Sequence, residues 1–217
     1  MANQPNTSPF SLVKATFAIT AFVLMWIGSI NCNFVKFTDT SGTSEPISLQ
    51  FGIWYYQFWS LVYSASGTFV FESCHGYPDS IELDSSWKAA RAFSILAFIS
   101  AIIVLIAACM SLCGSNPGKS YVWEAPGYAM TAFFQGLTLL LLNSNACNGN
   151  TMVQSLDPSL SNVTFPDTCS MDTGAKLSIS ATVFFFASSV ASFLAHKAEK
   201  AVMEEEVQAD LREPLAP

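Results

Sequence analysis

The residues of this 217-residue chain whose types could do covalent or metal chemistry are six cysteines and two histidines. Their spacing argues against most of it. No Cys-x-x-Cys occurs, which disfavours a membrane thiol oxidoreductase. Cys74 and His75 are adjacent, but neighbours without two further ligands make a poor zinc site, so no metal is expected. In the topology developed below, His75 and His196 fall on opposite sides of a membrane and cannot cooperate. Cys109 and Cys113 stand four residues apart on an apolar stretch, either as small buried side chains or as S-palmitoylation acceptors. No nucleophile, acid–base pair or phosphate-binding loop emerges, so the sequence predicts a non-enzymatic protein with no cofactor.

The elements that must position these residues are set by composition. Half of the residues are apolar (51%) and only 12% are charged, too few to solvate a soluble surface. The chain therefore reads as a multi-pass membrane protein. Its partners are the lipid bilayer and either a second copy or another membrane protein. With acids in excess and no basic stripe, nucleic acid is not among them.

Ala92 to Cys113 is about 22 residues without a charge, enough to cross a hydrocarbon core of about 30 Å. Spans are predicted at about 12–30, 91–113, 127–143 and 175–195, within one membrane domain of residues 15–195. Residues 1–14 and the charged residues 196–217 form cytosolic tails. Lys14 before the first apolar run also suits a signal peptide, but no Ala-x-Ala-like cleavage site follows. Gly114 to Pro126, with Pro117-Gly118 and Pro126, reads as a loop. Beyond it, Ala129, Ala132 and Gly136 supply a small-residue face for helix contact. Ser180, Ser188, Ser189 and Ser192 of the fourth span are expected to pack on neighbours or bond back to the backbone. Lys14, Arg91 and Lys176 read as flanks, leaving no acid or base inside the apolar cores, and this disfavours ion-coupled transport.

Between the first two spans, residues 31–86 carry Asp39, Glu45, Glu72, Asp79, Glu82 and Asp84 against Lys36, a net charge of −5. The second loop, residues 143–174, carries Asp157, Asp167 and Asp172 and no base, a net charge of −3. Four cysteines lie in these same loops, which places both loops in an oxidising compartment. A plasma membrane or another membrane of the secretory pathway follows. Asn162-Val163-Thr164 is a glycosylation sequon on that side. Phe51 to Phe71 is uncharged but rich in Tyr, Trp, Ser and Gly, which favours amphipathic strands over a fifth span.

Gly52-Ile53-Trp54, then Cys74 and Tyr77, then Ala89-Ala90-Arg91-Ala92 opening a helix, resemble the first extracellular loop of claudins. Peripheral-myelin-type proteins and calcium-channel gamma subunits share that pattern. The resemblance covers about 60 residues. It implies a four-helix transmembrane bundle with a small extracellular antiparallel β-sheet, an all-α membrane protein otherwise, and a structural role for Arg91 at the helix entrance. It also implies a cysteine three positions after the tripeptide, where this chain has Gln57, so that within the loop Cys74 has Cys32 as its partner. Cys32 with Cys74 and Cys147 with Cys169 are the expected disulfides, with a bridge between the loops as the rival. Arg91 is expected to pair with a loop acid or to snorkel outward. The terminal Leu215-Ala216-Pro217 does not resemble the PDZ-binding ending of claudins. The implied function is adhesion or membrane organisation through the outer loops. The alternative is an auxiliary channel subunit or cation-selective pore, in which Glu72, Asp79, Glu82 and Asp84 form a cation-attracting surface.

Overall fold

A computed structural model describes residues 9–38, 48–64, 67–79, 81–113, 121–145, 147–148 and 166–212. The sequon at Asn162 and the chain's last five residues lie outside them. Four long helices carry the fold: α1 (Pro9–Ile30), α2 (Ser85–Cys113), α3 (Tyr121–Leu137) and α4 (Thr173–Arg212). Each contains a stretch long and apolar enough to cross a membrane: Leu12–Ile30, Ser85–Met110, Trp123–Asn143 (which continues from α3 into a 3-10 segment, Thr138–Asn143) and Thr173–Val202. Ile103, Val183 and Phe186 point outward, while Ala18, Ala21, Ala97, Ala101 and Ala181 are buried. Small residues inside and bulky apolar ones outside suit a bundle solvated by lipid, where close backbone approach replaces the hydrophobic drive.

The residues between α1 and α2 form strands, so the reading of Phe51–Phe71 as a ribbon holds. The strands are β1 (Val35–Thr38), β2 (Ser48–Phe51), β3 (Tyr55–Ser64) and β4 (Gly67–Gly76), and the second loop adds β5 (Ser170–Met171). One five-stranded sheet results, in the order β4-β3-β2-β1-β5. The β1–β2, β2–β3, β3–β4 and β1–β5 pairings are all antiparallel. Alternation in β1 explains its register, since Val35 and Phe37 are buried and Lys36 and Thr38 are less so. The buried face of the sheet meets the bundle in one core of Phe34, Val35, Phe37, Phe51, Ile53, Trp87 and Leu141.

Helix starts follow their caps. Asp84 precedes α2 and its Oδ1 accepts the Trp87 backbone N–H at 2.9 Å. This capped start lies six residues before Arg91, so α2 is longer on the outer side than the predicted span. At α4, the Thr173 N–H donates to Asp172 Oδ1 at 2.8 Å. The largest departure is α3, which begins at Tyr121 and carries Pro126 inside it. The proline removes one N–H, the donor that the Val122 carbonyl would have met, and the helix continues without that bond. Residues 121–126, expected as loop, are therefore helical. Of the predicted small-residue face, Ala132 is buried in the bundle core and Gly136 stands beside Thr182 of α4, but Ala129 is exposed. The tightest approach between helices is at Gly127, where an added Cβ would stand 2.4 Å from Val104 Cγ1 of α2.

Candidate functional site

Two places concentrate chemistry, one at the junction of sheet and bundle and one inside the bundle near its opposite end. At the junction, the residues that carried the resemblance come together. Trp87 and Arg91, one turn apart on α2, aim their N–H groups at one carbonyl: Trp87 Nε1 donates to Ile53 O at 3.1 Å and Arg91 Nε donates to the same oxygen at 2.9 Å. The guanidinium lies 5.1 Å from the Trp54 ring centroid, 5.5 Å from Tyr77 and 5.6 Å from Trp87. Tyr77 and Trp87 meet edge to face at 4.6 Å, and the Tyr77 hydroxyl donates to Gly52 O at 2.8 Å. Burial holds the Tyr77 phenol protonated well above its ordinary range, and the nearby Arg91 charge pulls the other way without prevailing. Gly52 is required where it stands, because a Cβ there would come within 2.3 Å of Asn31 O.

Arg91 thus corrects the expectation of an acid partner or of snorkelling. Among the described residues the ion pairs are Lys14–Glu124 and Lys200–Glu204, and Arg91 is in neither. Three ring faces and a carbonyl hold the guanidinium instead, an arrangement favoured where water is partly excluded.

Covalent bonds fix the same region. Cys32 at the end of α1 bonds to Cys74 of β4, and Cys147 bonds to Cys169, each within its own loop as expected. Gln57 faces Cys74 directly across β3 and β4. It is buried and its Oε1 has no hydrogen-bond partner. The two loops are joined by backbone. The Asp172 N–H donates to Phe34 O at 3.1 Å, the Gly174 N–H to Asn33 O at 2.7 Å, and the Asn145 N–H to Asp84 Oδ2 at 3.1 Å. Of the acids proposed as a cation-attracting surface, Asp84 is therefore occupied by two N–H donors. Asp79 and Glu82 are exposed, and Glu72 lies on β4 opposite Trp59.

Inside the bundle, the sequence reading is overturned. Lys14 of α1 and Glu124 of α3 are wholly buried, and Lys14 Nζ donates to Glu124 Oε2. Both lie within candidate spans. The reading missed them because Lys14 was assigned to the flank and Glu124 to a loop ended by Pro126. One signal could have found the pair: opposite charges stand near the N-terminal ends of the first and third spans, which run parallel in a four-span bundle. α1 and α3 each pack on α4, so the pair reaches past α4 at that end. α4 lends hydroxyls, with Ser189 Oγ donating to Ala125 O at 2.8 Å and Ser188 Oγ reaching Lys14 O at 3.5 Å. These contacts fit the packing expected of the serines, while Ser180 bonds back to Lys176 O at 3.0 Å.

Further along the bundle, Gln135 Nε2 donates to Ser178 Oγ at 2.7 Å and Thr138 Oγ1 lies 2.9 Å from the same oxygen. Thr131 Oγ1 donates to Ser100 Oγ at 3.0 Å, joining α3 to α2. Cys109 is a free, exposed thiol on α2, and Cys113 is the last residue of that helix. Ser73 Oγ and His75 Nε2 are 2.8 Å apart on the exposed end of β4. Among the described residues, no group of three His, Cys, Asp or Glu is placed to hold a metal. Neither a family model nor a curated protein matches this chain.

Proposed function

We propose that this membrane protein is a non-enzymatic, claudin-like tetraspan that acts in adhesion or membrane organisation, presenting its outer sheet to a second copy or to another membrane protein. The observation that carries the reading is the way both loops enter one sheet, stapled by two disulfides and seated on α2 through Trp87 and Arg91. Such a platform has lost its conformational freedom before any contact is made, which lowers the entropic cost of binding. Its outer part offers backbone for pairing. β2 meets β3 only at Phe51 and Tyr56, whereas β3 and β4 pair from Tyr55–Gly76 to Ser64–Gly67. Most of this ribbon has no third strand among the described residues, and open strand edges recruit other chains. Gln57 supports the likeness, since the position where claudins have a loop cysteine faces Cys74.

Two differently tagged copies, co-expressed, should co-purify, and cells displaying the chain should aggregate. The Cys32→Ser, Cys74→Ser double variant should lose aggregation while still reaching the surface. Wild-type copies that neither co-purify nor aggregate would remove the reading.

The buried Lys14–Glu124 pair favours a second, transport-related reading, because charge inside a membrane bundle commonly marks a conduction or coupling path. Under it, Asp79 and Glu82, with Glu72 and Asp84, gather cations at the mouth. Neutralising all four, with asparagine at Asp84 to preserve the helix cap, should reduce cation preference in a patch or monolayer assay. An unchanged preference in a surface-expressed variant rules against it.

A further inference from the structure

α1 packs on α4 and α2 packs on α3, whereas α1 and α2 touch least of the neighbouring helices. Their outer halves part around a cleft of about 170 Å³. Its floor is apolar: Phe98 of α2 lies 4.9 Å from the Trp26 ring of α1, and Ile95 continues that wall. Trp54 of the junction closes the top. The cleft thus lies at bilayer depth, with tryptophans where the interface begins.

Two serines that line it and Arg91, one helical turn above Ser94 and beyond the lining, fall in a fixed order. Arg91, Ser94, Ile95 and Phe98 follow one another at helical spacing on one stripe of α2. Arg91 is uppermost, its charge not matched by any carboxylate among the described residues, and only its Nε spent on Ile53 O. A guanidinium has five N–H donors, so four remain beyond the bond to Ile53 O. One turn lower, Ser94 and Ser29 line the cleft, and Ser29 Oγ is buried without a hydrogen-bond partner. Ser29 is the last residue but one of α1, near the depth of glycerol esters. Below them only apolar side chains remain. A cation, then a lone hydroxyl, then an apolar slot repeats the order of phosphate, ester and acyl chain.

We propose that the α1–α2 cleft binds one ester-linked phospholipid of the leaflet on the disulfide side, with the phosphodiester at Arg91, an ester carbonyl accepting a hydrogen bond from the Ser29 hydroxyl, and that acyl chain on Ile95 and Phe98. The apolar floor of this cleft, formed by Met25, Trp26, Ile95 and Phe98, suits a run of methylenes. An acyl chain there completes the thinnest seam of the bundle.

The test is native mass spectrometry of the detergent-purified protein titrated with diacyl phosphatidylglycerol and with its diether analogue, which lacks the ester carbonyls. The wild type should retain one diacyl lipid saturably and bind the diether lipid roughly three- to tenfold more weakly, the loss of one hydrogen bond. Ser29→Ala should bind the diacyl lipid with the same weakening and show no further loss with the diether lipid. Ser94→Phe, with both disulfides intact, should abolish the adduct by filling the cleft. Chain-brominated phosphatidylglycerol should quench Trp26 and Trp54 fluorescence in the wild type. The proposal is overturned if the wild type retains no stoichiometric lipid, if it binds ester and ether lipids equally, or if folded Ser94→Phe keeps the adduct. Should Ser94→Phe fail to fold, the Ser29 and ether-lipid cycle decides alone.

Discussion

The outer end of the molecule and the interior of its bundle are held together by different means. Outside, large rings, backbone carbonyls and two disulfides fix position: Trp87 and Arg91 share the Ile53 oxygen, and Cys32 ties α1 to β4. Inside, the core residues are mostly alanine, and side-chain hydrogen bonds join the helices, Gln135 to Ser178 buried and Thr131 to Ser100 partly so. The difference reflects the solvent. In water the sheet gains from burying rings and must restrict its unfolded chain. In lipid burial gains little, so fit and low-dielectric polar contacts decide which helices are neighbours.

Four perturbations test that division, the largest first. Removing one partner of the buried pair, as in Lys14→Met or Glu124→Leu, leaves a charge without its counter-ion and should cost about 3 to 5 kcal/mol. The double variant should recover most of that loss, because two apolar side chains carry no desolvation penalty. Thermal unfolding in detergent reads both. Single variants as stable as the wild type would show that the pair contributes nothing to the interior.

Next, the Cys32→Ser, Cys74→Ser variant should lose about 2 to 5 kcal/mol from the outer sheet alone. Limited proteolysis should then cut residues 48–76 faster while the four helices stay protected. Equal loss of protection in the bundle would mean that the two regions unfold as one.

Third, Arg91→Lys keeps the charge but loses the planar stacking and the Nε bond. About 1 to 2 kcal/mol of destabilisation is expected, read by the same thermal scan. The smallest effect is that of alkali. Tyr77 has its folded pKa raised above the unfolded value, so its stabilisation is fully present below about pH 10 and is lost as pH rises beyond it. Tyr77→Phe should flatten that alkaline loss of sheet stability while sacrificing the hydroxyl bond to Gly52 O.

Much of the outer region was legible in the sequence, because its signals are local. An uncharged Tyr- and Trp-rich run means strand, paired cysteines in acidic loops mean disulfides, and Gly52-Ile53-Trp54 with Arg91 marks their junction. The interior was less legible. Pro126 resembles a stop, yet a helix can lose one hydrogen bond when its neighbours hold it, and reading the stop literally hid Glu124 in a loop. Lys14 looked like a flanking anchor because partnership between residues 110 positions apart leaves no local trace. The Arg91 seat was half-legible: its place was marked, but three rings instead of a carboxylate accept the charge, and only the fold brings Trp54, Tyr77 and Trp87 around it.

The fourth helix has a mechanical consequence. From Thr173 to Arg212 it runs 40 residues, and no proline or glycine interrupts it after Gly174. At 1.5 Å per residue that is a rod of about 60 Å, roughly twice a bilayer's hydrocarbon thickness. Its outer end is bonded to the sheet through Gly174 and Asn33. A rod without a hinge turns a small angle at one end into a long sweep at the other: about 5° of tilt beneath the sheet swings the far tip by about 5 Å.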